Sequence, residues 1–285
     1  MDARDGLASE AGSHEEFQGV NAKVHPSAIV HSGAELGDGV EIGPFCEVGP
    51  NVVLEAGVRL RARASVLGHT RLGEGCELFE GAVLGGLPQI LGEQSSPDAR
   101  LVVGPRGTFR ENVTVSTGSP RHTGLTEIGA DAYFMESVHI GHDCRLGARS
   151  VLANGVKLAG HVVLGDQVWI GGMAALHQFT HVGDHAFIAG GAIVVGDVVP
   201  FGAVVGNRAV LTGLNLTGLK RRGFDRARLH TLRRAFKALF DGPGQFADRV
   251  ETVRRDFPDA PDVTALLTFI EDPARTRDLC QSGRA

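Results

Sequence analysis

The chain has 285 residues, 40 of them glycine, and a formal net charge of −5. The acidic net charge argues against a nucleic-acid partner. The sequence contains no run of about 18 apolar residues, so we expect no integral membrane segment. Residues 1–21 lack the apolar core of a signal peptide, so we expect a flexible N-terminal extension. The four cysteines form no CxxC pair, which favours a reducing, cytoplasmic setting.

An apolar residue recurs at every sixth position over most of the chain. Neither an α-helix nor a long alternating strand has this period. It is typical of a chain that coils as a triangular prism, with one short strand on each side and turn formers at the corners. The positions are Val30, Leu36, Ile42, Val48, Leu54, Leu60, Val66, Leu72, Leu78 and Leu84, then Val103, Phe109 and Val115, then Ile128, Phe134, Ile140, Leu146, Leu152, Leu158, Leu164, Ile170, Leu176, Val182, Ile188 and Val194. The repeat predicts a mainly β domain over residues 22–212.

The period of six is interrupted twice. Gly85–Arg100 contains Pro88, Pro97 and several polar residues, so we expect a protruding loop there. The second interruption covers Thr117–Leu125.

Residues 213–285 lose the period of six and show helical spacing instead. Asp225 is a suitable N-cap for a helix that ends at Phe240. Two shorter helices are predicted over Gln245–Phe257 and Asp262–Glu271. The sequence therefore predicts a small helical C-terminal domain, whose first helix has a cationic face. That face suits an acidic protein partner, or is an ordinary solvated surface.

Residues capable of chemistry gather at one predicted corner of the prism. A single corner histidine is an ordinary turn residue, because corners are exposed. Here a coil of 18 residues places four histidines, a carboxylate and a glycine at or beside one corner, which predicts a catalytic site. The residues are His139, His142, Asp143, Gly160, His161, His177 and Gln178.

The chemistry predicted for this corner is general base catalysis. His142 has a ring that can take a proton from a hydroxyl at neutral pH, and Asp143 either orients it or points into solvent. The Gly160 N–H can approach a reacting carbonyl as an oxyanion donor, because glycine has no side chain. Cys144 falls in the row of small core residues, so direct transfer is favoured over a covalent acyl-enzyme.

Six segments carry a family resemblance: His139-Ile-Gly-His142-Asp-Cys, Ala153-Asn154, Leu158-Ala-Gly-His161-Val, Ile170-Gly-Gly-Met, His177-Gln-Phe and Gly218-Leu-Lys-Arg-Arg-Gly-Phe224. In this order, and over about residues 22–275, the chain resembles the UDP-N-acetylglucosamine O-acyltransferases of lipid A biosynthesis, which are hexapeptide-repeat acyltransferases. The resemblance implies a left-handed parallel β-helix and a homotrimer, for which outward-facing Phe187 and Phe201 would be suitable.

The resemblance also implies an activity and roles for individual residues. The family transfers a 3-hydroxyacyl chain from acyl carrier protein to the sugar 3-hydroxyl of the UDP-sugar, in the first step of lipid A biosynthesis, without a cofactor or a metal. His142 would be the base, Asp143 its partner and Gly160 the oxyanion donor. The residues expected to bind substrate are Gln89, His139, His161, His177, Gln178, Asn215, Arg221 and Arg222, and those expected to limit acyl-chain length are Gly190 and Gly191.

The resemblance is weaker in the segments that would bind the acceptor. The family has an Asp and a Lys after a Gln, whereas this chain reads Gln89-Ile90-Leu91-Gly92. Ser116–Ser119 stands where the family has His-Arg-Gly-Thr, and Thr217 replaces a Glu. These changes fall on acceptor recognition, so both UDP-N-acetylglucosamine and its 3-amino analogue remain open as acceptors.

Other interpretations remain open at this point. One is an acyltransferase for a different nucleotide sugar, such as an N-acyltransferase. Another is a zinc hydratase resembling the γ-class carbonic anhydrases, which would need three neutral histidine ligands. A third is a non-catalytic homologue, supported only by the missing acceptor charges. The Lys220-Arg221-Arg222 motif either holds a diphosphate through paired, charge-assisted hydrogen bonds or is a solvated basic turn.

Overall fold

The computed structural model describes residues 21–283. The N-terminal extension predicted over residues 1–21 lies almost entirely outside the described residues. The described part begins directly with the first strands of the repeat, and none of its helices is long and apolar enough to cross a membrane.

Short parallel strands stack into three sheets, which form the three sides of a prism. Residues 18 apart pair with each other, as Lys23 does with Glu41 and Glu41 with Arg59, because each coil adds one strand to each sheet. The fold is a left-handed parallel β-helix followed by helices, as predicted. Strands β1 to β28 are, in chain order, Lys23–Val24, Ile29–Val30, Glu35–Leu36, Glu41–Ile42, Glu47–Val48, Val53–Leu54, Arg59–Leu60, Ser65–Val66, His69–Leu72, Glu77–Leu78, Val83–Gly86, Arg100–Val103, Thr108–Phe109, Thr114–Ser116, Leu125–Ile128, Tyr133–Phe134, His139–Ile140, Arg145–Leu146, Val151–Leu152, Lys157–Leu158, Val163–Leu164, Trp169–Ile170, Ala175–Leu176, His181–Val182, Phe187–Ile188, Ile193–Val194, Gly202–Val205 and Val210–Leu214.

The core of the prism is the predicted period-six series. Every member of that series except Val30 is buried, and each stacks on its counterpart one coil away, as Ile140 does on Leu158. Burial of each aliphatic side chain is worth about 1.5–3 kcal/mol before the entropy cost of folding. All four cysteines are buried and free, so the core is held together without disulfides.

Several corners of the prism have left-handed backbone at residues other than glycine. Asp143, His161 and Phe179 have φ angles of 58°, 62° and 65° and lie one coil apart. This conformation costs about 1–2 kcal/mol at each such residue. It places three side chains in one column on the outside of the prism, which becomes a wall of the site described below.

The two predicted loops connect β11 to β12 and β14 to β15. They are joined to each other through the sheet, because Thr117 N–H donates to the Gly86 carbonyl and Gly118 N–H to the Arg100 carbonyl. The ends of both loops are therefore fixed to the β-helix.

Helices follow the last coil, and the predicted helix boundaries agree with the structure to within one residue. They are α1 Leu216–Arg221, which the sequence did not predict, α2 Arg226–Phe240, α3 Phe246–Asp256 and α4 Pro261–Glu271. Asp225 caps α2 by accepting a hydrogen bond from Arg228 N–H at 2.8 Å, as predicted. Arg228, from the predicted cationic face, instead pairs with Asp262.

The expectation that Phe201 lies on an outer face of the prism is wrong. Its side chain is only 3% exposed, because α1 and α2 cover it. Its ring packs against Phe224, with the centroids 6.0 Å apart, and against His185 at 5.6 Å. Phe187 is partly exposed.

Residues 272–283, which we call the C-terminal strap, return from α4 to the last coil of the prism. Leu279 pairs with Asp197 and Ser282 with Leu211. Arg275 Nε donates to Asp197 Oδ2 at 2.8 Å, and the two side chains are 9% and 0% exposed. Burial raises the pKa of Asp197 in spite of its hydrogen bonds from His181 N–H and Arg275. The strap is thus anchored by a buried ion pair.

We expect Arg275→Met to lower the free energy of unfolding by about 3–5 kcal/mol, because it leaves the Asp197 carboxyl buried without its cation. Urea denaturation followed by circular dichroism measures the change. Arg233→Met, at an exposed position of α2, is the matched control and should change the free energy by less than about 0.5 kcal/mol. Equal midpoints for the two variants would show that the ion pair does not anchor the strap.

Candidate active site

His142 and Asp143 form a directly bonded pair at the corner that follows β17. His142 Nδ1 lies 2.7 Å from Asp143 Oδ2, and the two side chains are 18% and 0% exposed. Since an ionised carboxylate can only accept, Nδ1 carries the proton and Nε2 keeps its lone pair. Asp143 therefore orients His142 and does not point into solvent.

The second predicted loop holds the Asp143 carboxylate in place. Oδ1 accepts hydrogen bonds from Thr123 N–H at 3.0 Å and from the Thr123 hydroxyl at 2.5 Å. Oδ2 accepts from Ser119 N–H at 3.1 Å as well as from His142. Burial pushes the pKa of Asp143 upwards, but the bonds from Thr123, His142 and Ser119 outweigh it and hold this pKa below its ordinary value. With four hydrogen bonds the carboxylate has no free acceptor site.

Gly160 lies directly against the reactive side of the His142 ring. A Cβ added at Gly160 would be 2.5 Å from His142 Nε2 and 2.6 Å from its Cε1. Only glycine therefore fits beside a ring in this orientation. Gly160 N–H makes no hydrogen bond within residues 21–283, which leaves it free to meet a substrate oxygen.

Three imidazole rings meet at this corner. The His161 ring centroid is 5.0 Å from that of His142 and 4.7 Å from that of His122, which the second loop supplies. On its other side His161 stacks on Phe179 at 4.5 Å. Burial lowers the pKa of His161. The charge of Asp143 opposes this shift, the neighbouring His142 and His122 add to it, and the net shift is downward.

A cavity of about 320 Å³ opens beside His142. His139 lines this cavity, and its Nδ1 lies 2.8 Å from the Thr114 hydroxyl oxygen. Burial lowers the pKa of His139, and the charge of Lys157 one coil away lowers it further. The lining residues are Gln89, Ser116, His139, Gly141, His142, Lys157, Leu158, Ala159, Gly160, Ala175 and Leu176. Lys157 is the one cation among them.

His177 is exposed and lies outside the ring cluster. Arg277 of the C-terminal strap donates through Nη2 to His177 Nδ1 at 2.7 Å and through Nε to the Gln178 carbonyl at 2.7 Å. Because arginine has no acceptor, Nδ1 of His177 keeps its lone pair and the proton sits on Nε2. His177 therefore presents an N–H donor outward.

Asn215 and the two arginines lie at the junction between the β-helix and α1. The Asn215 side chain caps α1 by accepting from Gly218 N–H at 3.0 Å, and its amide donates to the His185 carbonyl at 3.0 Å. Arg221 is exposed, whereas Arg222 is half-buried and its Nη1 has no partner within the described chain. Burial lowers the pKa of Arg222. A nucleotide role for these residues stays a prediction.

The first loop, which carries Gln89, is fastened to the second. Glu93 accepts a hydrogen bond from the Ser119 hydroxyl at 2.9 Å, and Arg121 donates to the Gly92 carbonyl at 2.7 Å. Gly92 stands where the family has a Lys. In this chain its carbonyl accepts the hydrogen bond from Arg121 that joins the two loops. Ser119 connects this loop to the Asp143 carboxylate.

Gly190 and Gly191 lie more than two coils beyond His142, at a different corner of the prism. A Cβ at Gly190 would meet the Gly172 carbonyl oxygen at 3.2 Å, whereas one at Gly191 would meet open space. Cys144 lies in the core as predicted, where burial raises the pKa of its thiol to about 12. It is protonated at neutral pH and is not a nucleophile.

The residues that sequence reasoning missed come from the second loop, the β-helix and the strap. Ser119, His122 and Thr123 lie in the second loop, Lys157 and Phe179 in the β-helix, and Arg277 in the strap. Counting 18 residues from His161 leads to Phe179, and from His139 to Lys157, so those two could have been found. The others lie where the period of six does not apply.

Comparison with known proteins agrees with this geometry. A family model described as UDP N-acetylglucosamine O-acyltransferase, domain 2, matches residues 197–280. An acyl-(acyl-carrier-protein)–UDP-N-acetylglucosamine O-acyltransferase of Sinorhizobium fredii is 44% identical over 88% of this chain and 92% of its own length. One of Rhizobium etli is 46% identical over the same shares.

This chain belongs to the UDP-N-acetylglucosamine O-acyltransferase family. A solved UDP-N-acetylglucosamine acyltransferase from Campylobacter jejuni is similar, with a TM-score of 0.85, 36% identity and coverage of 91% of this chain and 99% of that one. A second, from Bacteroides fragilis, has a TM-score of 0.86 at 30% identity and covers 90% and 100%. Membership of this acyltransferase family favours the acyltransferase interpretation over the zinc hydratase and the non-catalytic homologue.

Proposed function

We propose that this chain transfers a 3-hydroxyacyl group from acyl carrier protein to the sugar 3-position of UDP-N-acetylglucosamine, with His142 as the general base. The observation that carries the proposal is the His142–Asp143 pair, whose free Nε2 lies against Gly160 at the edge of the cavity. Family membership supports the substrate class.

The reaction follows from the protonation state of the pair. His142 Nε2 takes the proton of the acceptor hydroxyl as its oxygen attacks the thioester carbonyl carbon. Negative charge develops on the carbonyl oxygen, where Gly160 N–H donates a hydrogen bond. The C–S bond then breaks, and His142 returns the proton to the departing sulfur. Asp143 stabilises the imidazolium between the two proton transfers.

Binding roles are assigned by position. His139 and Gln89, which line the cavity, contact the acceptor. His161, which touches the His142 ring, also contacts substrate, as do His177 and Gln178, which Arg277 of the strap holds. Asn215, Arg221 and Arg222 hold the UDP diphosphate, and Arg222 Nη1, which has no hydrogen-bond partner among the described residues, supports this assignment. The exposed cations of α2, Arg226, Arg233 and Lys237, meet the acidic carrier protein. The chain acts as a cytoplasmic homotrimer without a cofactor.

A second acceptor deserves a direct test because the acceptor loop has lost two charges. Among the described residues that line the cavity there is no carboxylate, and Lys157 is the one cation. A 3-amino sugar would have to bind there as the neutral amine, which can then attack the thioester and pass its proton to His142. The chain would form an amide instead of an ester.

The deciding experiment incubates the purified chain with 3-hydroxyacyl carrier protein and either UDP-N-acetylglucosamine or its 3-amino analogue, with mass spectrometry of the product. An ester product supports the proposal, and an amide product alone identifies the second acceptor. Transfer to neither sugar would overturn both. The His142→Ala variant reports whether the transfer is enzymatic.

We expect Gly190→Met to shift the acyl-chain preference towards shorter chains, because the added side chain starts against the Gly172 carbonyl and fills the space beyond it. The ratio of kcat/KM for a long chain to that for one shorter by two carbons should fall by a factor of about 10 or more. Phe45→Met, at a position that is 64% exposed in the first coils, is the control. An unchanged preference in Gly190→Met would remove this glycine from the acyl-binding path.

A further inference from the structure

The catalytic corner holds more histidine than general base catalysis requires. The reaction above uses the lone pair of His142 only. His161 and His122 nevertheless place their ring centroids 5.0 Å and 5.9 Å from that of His142, and 4.7 Å from each other. Three imidazole rings in mutual contact are a ligand set for a borderline-soft divalent metal ion.

The separations between the rings suit such an ion. Zinc bound tetrahedrally by nitrogens at about 2.0–2.1 Å keeps the centroids of its imidazole ligands about 5 Å apart. The potential ligand atoms of His142, Asp143 and His161 already lie within 4.8 Å of one another. His122 is exposed on its loop, so its ring can turn towards the other two without disturbing the core.

The Asp143 carboxylate has a different part in this site. All four of its acceptor positions are taken, by Thr123 twice, by Ser119 and by His142. It therefore does not bind the ion directly. Its bond to His142 Nδ1–H is the outer contact that metal-binding histidines usually have, and it leaves Nε2 as the ligand atom.

We propose that His122, His142 and His161 form a binding site for a divalent transition-metal ion, Zn²⁺ foremost, and that the bound ion inhibits acyl transfer. Inhibition follows because the ion takes the Nε2 lone pair that must accept the substrate proton. Only this second statement rests on the proposed function.

Binding is tested without substrate. The full chain is titrated with Co²⁺, whose visible absorption reports tetrahedral nitrogen ligation, and Zn²⁺ is then added as competitor. We expect one ion per chain, displaced by Zn²⁺. The affinity should fall by at least about tenfold in His122→Asn and in His161→Asn. His230→Asn, at an exposed position of α2, should bind as the unmodified chain does. Absence of the band, or equal affinity in all variants, would overturn the site.

Inhibition is tested by acyl transfer at increasing Zn²⁺, with a chelator added at the end. Loss of rate that the chelator reverses, with a weaker response in His122→Asn relative to its own uninhibited rate, supports the proposal. A rate that rises with Zn²⁺, or falls on adding chelator alone, would contradict it, because the ion would then be a cofactor. If the chain transfers no acyl group, the Co²⁺ titration still decides whether the site exists.

Discussion

Replacing His142 by alanine should lower kcat/KM for acyl transfer by a factor of about 10²–10⁴, the contribution of a positioned general base. The ring is held at 2.7 Å by Asp143 and is 18% exposed, so its removal opens a small space at the surface and leaves the prism intact. The loss should therefore appear in turnover, with the melting temperature nearly unchanged. Steady-state kinetics with acyl carrier protein and UDP-sugar measure it.

Two companion variants make this result specific. His31→Ala, a partly exposed histidine in the first coils, should keep full activity. Asp143→Asn should also lower activity. One of the two carboxylate oxygens is replaced by an amide NH₂ group, which cannot accept the hydrogen bond that Ser119 N–H or Thr123 N–H donates there. Undiminished turnover in His142→Ala would exclude general base catalysis by this residue.

The sequence predicts this fold well because one local rule is repeated. Each inward position needs an apolar side chain and each corner needs a turn. The pattern can therefore be recognised in every coil by itself, without reference to the coils next to it. The strict spacing also fixes which residues lie above one another. That is why the placement of Gly160 over His142 followed from counting alone.

The same rule explains where the prediction of the site is incomplete. Residues 117–124 lie between two coils, so no spacing relates Ser119 or Thr123 to Asp143, and no spacing brings His122 to His161. Arg277 reaches His177 across 100 residues of sequence through a strap that returns from the helices. Contacts of this kind depend on the path of an irregular segment, which has no period to read.

The contacts of the second loop also give a structural role to a segment that departs from the family pattern. Ser116–Ser119 looks like a loss when compared with His-Arg-Gly-Thr, yet Ser119 N–H binds the catalytic carboxylate and its hydroxyl binds Glu93. The two loops are thereby bonded to each other and to the His142–Asp143 pair. We therefore expect a change in the first loop to affect Asp143 through Ser119.

Gly160→Ala should lower kcat/KM by a factor of about 10² or more, although it adds one methyl group. The new Cβ would lie 2.5 Å from His142 Nε2 and 3.1 Å from its Cδ2. The ring cannot move away freely, because its other side is bonded to Asp143 and the Asp143 carboxylate is fixed by the second loop. A displacement of about 1 Å at a reacting atom is sufficient for a loss of this size.

Gly49→Ala is the matched control, since a Cβ there would meet its neighbours at 3.5 Å or more, an ordinary contact distance. It should keep both activity and stability. A double variant separates the possible causes of the loss in Gly160→Ala. If displacement of the His142 ring is the cause, adding Gly160→Ala to His142→Ala should lower kcat/KM little further. A further large loss in the double variant would instead mean that the methyl group obstructs the substrate or displaces the N–H of residue 160, because these effects act on whatever rate remains without the base. Full activity in Gly160→Ala would contradict the close fit of Gly160 against the catalytic ring.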